Sequence, residues 1–177
     1  LAVQSVMNGF EREMRERILS LLPHVQVTTA GDPQPLEHLI EMLQQDPNIA
    51  SSRPFILAET LLMRGQTVSA VQLTGLERSA LAPYESLLSP GVTDWHPESL
   101  VLGAAMVERL NLSVGDRVTF ILPEENQAAY QPLSLRLSAV LESGTELDEV
   151  LALVHVDALE ALAAGVSIRR GVAVQLE

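Results

Sequence analysis

Apolar residues recur at intervals of three and four from Val3 through Met7, Phe10, Met14, Ile18 and Leu21, which is the spacing of one helical face. The opposite face pairs Glu11 with Arg15 and Glu13 with Arg17 at the acid-first spacing of four that supports a helix, and Pro23 stops the run. The pattern predicts a helix over residues 1–22, about 33 Å long at 1.5 Å per residue. No capping residue opens it, so the stripe is expected to continue from a membrane helix ahead of the chain, which reads as a piece of something longer. Met7, Phe10 and Met14 form either the core side of this helix or a soft apolar surface facing a membrane or an acyl chain.

Beyond Pro23, residues 25–28 predict a short strand. Gly31, Asp32, Pro33 and Pro35 mark a turn and a helix start with Asp32 as its cap, and Leu36, Leu39, Ile40 and Leu43 trace a second amphipathic helix ending at Asp46 and Pro47. Strands over 55–63 and 67–74 follow, joined at Arg64, Gly65 and Gln66, to complete a β-α-β-β unit. Residues 77–97 carry no sustained period and read as an excursion. A strand over 100–102, a helix over 103–110, Asn111 as a left-handed cap and a tight turn at Gly115 and Asp116 lead into a strand over 118–122. Residues 123–132 read as a polar loop. After it Leu133, Leu135, Leu137, Ala139 and Leu141 alternate with Ser134, Arg136 and Ser138, the pattern of a half-buried strand. A strand over 150–156, a helix capped by Asp157 and ended by Gly165, and a strand over 171–176 complete an α+β pattern.

Charge removes one class of function. The 177 residues carry 23 acidic against 11 basic side chains, a net charge of −12, which repels a phosphate backbone, so nucleic acid is not an expected partner. With 47% hydrophobic but 3% aromatic residues and a mean hydropathy of +0.20, the core is aliphatic. No run of about 18 apolar residues spans a bilayer within this chain. The absence of cysteine excludes disulfides and thiolate metal sites.

Candidate chemistry is sparse. His24, His38, His96 and His155 lie far apart without metal-ligand spacing, and there is no nucleophile elbow, phosphate loop or dinucleotide fingerprint. Glu124 with Glu125, and Glu146 with Asp148 and Glu149, are paired carboxylates that acid-base work or plain solvation would both explain. Trp95 serves either as a binding aromatic or as a packing anchor for the excursion. Neither catalytic residues nor a metal or cofactor is expected. The loop offers a contact surface instead, with Gln127, Ala128, Ala129, Tyr130, Gln131 and Pro132 as candidate partner-binding residues and Tyr130 as the anchor.

Two segments carry a family resemblance. Val6-Met7-Asn8-Gly9-Phe10-Glu11-Arg12-Glu13, continued by Arg17-Ile18-Leu19 and Pro23-His24, resembles the segment after the first transmembrane helix of the LolC and LolE permeases of the lipoprotein-releasing complex. Leu100-Val101-Leu102-Gly103, Met106, Leu110-Asn111-Leu112, Val114-Gly115-Asp116 and Val118-Thr119 resemble that family's strand-helix-turn-strand element. The resemblance implies a MacB-like periplasmic domain of an inner-membrane ABC permease. A Porter subdomain would form from residues 23–76 and 136–177, behind the helix over 1–22, with a β-rich Sabre subdomain over 77–135 inserted between. It further implies a non-catalytic role in passing lipoproteins to a periplasmic chaperone. The implied partners are a paralogous permease subunit, the cytoplasmic ATPase LolD, the lipoprotein and the chaperone LolA, and Met7, Phe10 and Met14 would face lipoprotein or membrane.

Pro23-His24, the run from Ala70 to Gly75, Ser143-Gly144 and Leu147-Asp148 lean towards the LolE-like branch. In LolC-like subunits the loop matching 123–132 engages the chaperone. Pro132 and Arg136 fit that pattern, while Glu124 and Glu125 depart from its basic character. Two other readings stand beside this one, an efflux or mechanotransmitting permease of the MacB type and a small soluble hydrolase. The permease readings require the two chain ends to lie side by side, and the hydrolase requires a pocket of converging histidine or carboxylate groups.

Overall fold

The computed structural model of the chain describes residues 25–29, 34–123, 130–162, 166 and 168–176. The expected helix over 1–22, the cap Asp32 and the terminator Gly165 lie outside these residues. The predicted β-α-β-β unit is present as β1 (Val25–Thr29), α1 (Gln34–Gln44), β2 (Ile49–Arg64) and β3 (Thr67–Leu76). β2 starts six residues before the expected strand because Ile49 through Pro54 pair with the last strand of the chain, a long-range partner that no local alternation reveals. Gly65, with φ of 58°, opens the two-residue turn that pairs Arg64 with Thr67.

The excursion after β3 is a 3-10 helix (Arg78–Leu87) and a two-residue strand, β4 (Leu88–Ser89). It is anchored by Trp95, which is buried and donates its indole Nε1–H to the carbonyl of Leu76 at 3.0 Å. Trp95 is a packing anchor. Trp95→Phe removes that donor and strands the carbonyl, so urea unfolding is expected to show a loss of about 1–3 kcal/mol. A loss below about 0.5 kcal/mol would mean the bond contributes nothing.

Next come β5 (Ser99–Gly103), α2 (Ala104–Arg109), β6 (Arg117–Pro123) and β7 (Tyr130–Leu141), then α3 (Leu147–Val150), β8 (Ala152–His155), α4 (Val156–Glu160) and β9 (Ile168–Leu176). Asn111 adopts the expected left-handed conformation at φ of 49°, and Gly115 turns at φ of 98°. The expected strand over 150–156 is shorter. The amide of Leu151 closes a helical turn on Leu147, and only Ala152–His155 is extended. The cap of α4 is His155 rather than Asp157, because the His155 Nδ1 accepts the Asp157 amide at 3.1 Å.

The strands form one sheet in the order β1-β9-β2-β3-β8-β5-β7-β4, and β6 bridges β7 back to β2. The path β2-β3-β8-β5-β7-β6 therefore closes on itself as a six-stranded barrel. Leu62, Leu73, Leu100, Leu102, Phe120, Leu122, Leu135 and Leu137 fill it, each without solvent exposure. Complete burial of one such side chain stabilises by about 1.5–3 kcal/mol, so this interior dominates the fold's stability. A second cluster of Leu81, Leu88, Trp95, Val101, Ala139, Leu141 and Leu153 packs the excursion onto the outside of the barrel. Tyr84 flanks it, and burial raises the phenol pKa against the opposing charge of Arg53.

β7 serves both clusters through a register shift. Leu100 lies beside Leu137, but Val101 lies beside Ala139, which leaves Ser138 without a partner in that ladder. Leu135 and Leu137 consequently point into the barrel, and Ala139 and Leu141 into the outer cluster. The expected alternation is present, although it serves two faces, and Leu133 is half-buried.

At the other end β9 lies between β1 and the first half of β2, and α1 covers it with Leu39, Ile40 and Leu43 against Val172 and Val174. Val25 pairs with Val174, so the two ends of the described chain lie side by side.

Candidate partner-binding face

Of the residues singled out in the loop, Tyr130, Gln131 and Pro132 are described, whereas Gln127, Ala128 and Ala129, like Met7, Phe10 and Met14, lie outside the described residues. Tyr130, Gln131 and Pro132 belong to a strand rather than a loop. Pro123 pairs with Tyr130, Leu122 with Gln131 and Ile121 with Pro132, so only six residues of sequence separate the last pair of the β6-β7 ladder. Pairing to β6 draws in residues whose side chains show no alternation.

The strand setting fixes where Tyr130 and Pro132 point. Residues directly opposite in an antiparallel ladder share a face, as do residues two apart along a strand. Leu122 faces the barrel interior, so Pro123 and Ile121 face outward, and Tyr130 and Pro132 with them. Ile121 lies opposite Leu61, which lies opposite Ala70, and Met63 lies between Thr119 and Val68. The outer wall of β3, β2, β6 and β7 thus carries a continuous apolar strip. Tyr130 is 62% exposed, Val68 55%, Met63 44% and Leu61 37%. Arg117 and Arg136 sit opposite each other at its border, with Arg117 reaching Glu98 at 3.8 Å. The strip lies far from the chain ends, because β2 carries it on its final turn-proximal residues while Ile49 at its start pairs with Leu176. The distance is about 40 Å at 3.3 Å per residue.

Leu61, Met63 and Val68 were missed in the sequence. The available signal was the run Leu61-Leu62-Met63, apolar on both faces of a strand whose inner face is Ile56, Ala58, Thr60 and Leu62.

The remaining polar candidates have structural partners. Asp148 is buried and accepts the Ser143 amide at 2.8 Å, the Ser143 hydroxyl at 2.6 Å and the Gly144 amide at 2.9 Å, which ties off the loop before α3. The Glu149 amide donates to the Glu146 carbonyl at 3.1 Å, while among the described residues the carboxylates of both have no partner, and Glu124 and Glu125 lie outside the described residues. His96 accepts the Glu98 amide at 3.2 Å, and His155 is the cap of α4. Among the described residues no three histidine or carboxylate groups converge to hold a metal, and none of the described helices is long and apolar enough to cross a membrane.

No family model matches the chain. Among curated proteins it is 31% identical over 165 residues to the lipoprotein-releasing system transmembrane protein LolE of Haemophilus influenzae, covering 84% of this chain and 39% of that protein. It is 26% identical over 174 residues to the corresponding LolC of Neisseria meningitidis serogroup B, covering 88% of this chain and 40% of that protein. The chain therefore spans about two fifths of the length of these relatives. Among solved structures, the extracellular domain of the noncanonic ABC-type transporter YknZ from Gram-positive bacteria superposes with a TM-score of 0.52 at 15% identity, covering 85% of this chain and 74% of that one. The periplasmic region of MacB from Actinobacillus actinomycetemcomitans superposes with a TM-score of 0.51 at 16% identity, covering 92% and 80%. By sequence the chain is similar to the LolE and LolC permeases over more than four fifths of its own length, and its α+β fold is similar to that of the MacB periplasmic region.

Proposed function

We propose that this chain is the non-catalytic periplasmic domain of an inner-membrane ABC permease that releases lipoproteins and hands them to a periplasmic chaperone. The observation that carries this reading is the relationship to LolE over 84% of the chain. It is supported by the ends of the described chain, which pair as Val25 and Val174 at one end of the molecule, as a domain strung between two membrane segments requires. In this reading a paralogous permease subunit and a cytoplasmic ATPase complete the complex, ATP is hydrolysed on the ATPase, and the domain transmits force and contacts cargo. Residues 23–76 and 136–177 form the Porter part and 77–135 the Sabre-like insertion, consistent with β9 lying between β1 and β2. The LolE-like role is favoured, since identity is 31% to a LolE and 26% to a LolC.

The outer apolar strip is the contact face in this proposal, with Tyr130 its anchor and Pro132 beside it, whereas Gln131, opposite Leu122, faces the other side of the sheet. Gln127, Ala128 and Ala129 complete the contact, and Met7, Phe10 and Met14 line the membrane or lipoprotein side. Tyr130→Ala is expected to weaken partner binding by about 2 kcal/mol, because exposed aromatics dominate interface energetics, and to leave the melting temperature unchanged. Calorimetry of the domain with a purified lipoprotein and with the chaperone, wild type against Tyr130→Ala, reads both quantities. Binding that the substitution leaves untouched removes Tyr130 from the mechanism. For the function itself, the full-length permease is reconstituted with its ATPase and paralogous subunit in liposomes. Transfer of lipoprotein to the chaperone on addition of ATP is expected, and its absence in an ATP-hydrolysing complex would overturn the proposal.

A further inference from the structure

β3 is paired with β2 from Thr67 to Gly75, but on its other edge β8 meets only Thr74, Gly75 and Leu76. Upstream of Ala152 the chain turns away as α3, so among the described residues no strand pairs with the edge of β3 before Thr74. The phase of that edge is set by the hairpin. The two-residue turn makes Arg64 and Thr67 a hydrogen-bonded pair, and every second pair along the ladder bonds likewise, including Thr60 with Val71. Thr60 Oγ1 also donates to the Val71 carbonyl at 2.8 Å, which places that carbonyl on the β2 side. The alternate residues Val68, Ala70 and Gln72 therefore direct their N–H and C=O groups to the open edge.

A cavity of about 330 Å³ runs along this edge, walled by Ala70 and Gln72 on β3, Met106 and Arg109 on α2, and Val150 at the end of α3 with Leu151 after it. Sheet edges are normally blunted by charged residues, proline or bulges, since an open edge templates pairing with another chain. β3 carries none of these devices: its sequence TVSAVQLTGL has no charged residue and no proline, and its ladder with β2 has no register shift. Val150, 62% exposed, offers an apolar contact on the opposite wall.

We infer that the open edge of β3 is a strand-addition site for an extended polypeptide segment, which lies along Val68, Ala70 and Gln72 in the line that β8 vacates. The main chain of the segment bonds to alternate residues of β3, and the cavity takes one small or apolar side chain against Met106 and Val150. Arg109 and Glu149 put one charge of each sign on the walls, so the site recognises extended backbone rather than a charged sequence.

The test exploits the direction of the Ala70 amide. Proline is tolerated in a strand where the N–H points away from the ladder, so Ala70→Pro keeps the β2-β3 pairing and deletes a donor to the added strand. The probe is a fluorescein-labelled ten-residue peptide of alternating valine and threonine with a lysine at each end, followed by fluorescence anisotropy. Saturable binding to the wild-type chain is expected, with about a ten-fold loss in Ala70→Pro. In the wild type, hydrogen exchange at the Ala70 and Gln72 amides should slow when the peptide is added, while Val71 is unchanged. No saturable binding, equal binding by a folded Ala70→Pro chain, or no change in exchange at Ala70 and Gln72 would each overturn the inference. Loss of folding in Ala70→Pro would also overturn it, because it would place that amide in the β2 ladder.

Discussion

Leu137→Ala is expected to lower the unfolding free energy by about 2–5 kcal/mol, toward the upper end of that range. Leu137 has no solvent exposure and lies in the barrel interior with Leu100, Leu135 and Phe120. The cost of such a truncation depends on how far the surroundings collapse into the void, and here the backbone is pinned to the Gly115-Asp116 turn by two main-chain bonds. The Leu137 amide donates to the Asp116 carbonyl at 2.9 Å, and its own carbonyl accepts the Gly115 amide at 2.8 Å. A closed ring of strands cannot tighten locally without shifting every register in it. Chemical denaturation read by circular dichroism checks the value. A cost below about 1 kcal/mol would mean Leu137 faces outward and the register of β7 is off by one.

The second large effect is expected at Gly103, where alanine should cost about 3 kcal/mol. Its backbone is ordinary, with φ of −65°, so conformational freedom is not the reason for glycine here. Space is. A Cβ at this position would lie 2.6 Å from the Cα of Asp148, and neither side can retreat. The Gly103 amide donates to the Leu151 carbonyl at 3.0 Å, and the Asp148 carboxylate is held by Ser143 and Gly144. Gly65 and Gly115 are the converse case, with positive φ and open space around the missing Cβ. Thermal and denaturant melts of Gly103→Ala, alone and combined with Asp148→Ala, test the contact. The pair should be non-additive, because each substitution releases the same α3 segment, and strictly additive costs would show that the two sites do not communicate.

The contact between Gly103 and Asp148 joins two stretches that the sequence reading singled out separately, Leu100 to Gly103 and Leu147-Asp148. Their residues resemble the permease family, yet their proximity is invisible in the chain, since 43 positions of intervening sequence separate them and neither carries a periodic signal. The acidic cluster around Asp148 reads from sequence first as a solvated loop and only second as candidate chemistry. Burial and three hydrogen bonds made it a structural tie. Trp95 was ambiguous for the same reason, and the Leu76 carbonyl decided it.

Local physics determined much of this protein directly. Helical spacing located α1, turn residues located the β2-β3 hairpin and the Asn111 to Gly115 connection, alternation located β7, and particular motifs pointed to the permeases the chain is similar to. These signals are legible because each depends on neighbours within a few residues. Only the tertiary structure decided the rest. It set the start of β2, which exists because β9 pairs with it, and the split of β7 at Ser138 between two cores. It also set the shortening of the 123–132 loop by strand pairing, and the assembly of Leu61, Met63, Val68 and Tyr130 into one outer face. Barrel closure through β6 and the open edge of β3 belong to the same class. Each is a choice of partner between distant segments, and a strand's own residues specify which side chains alternate but not which strand lies beside them.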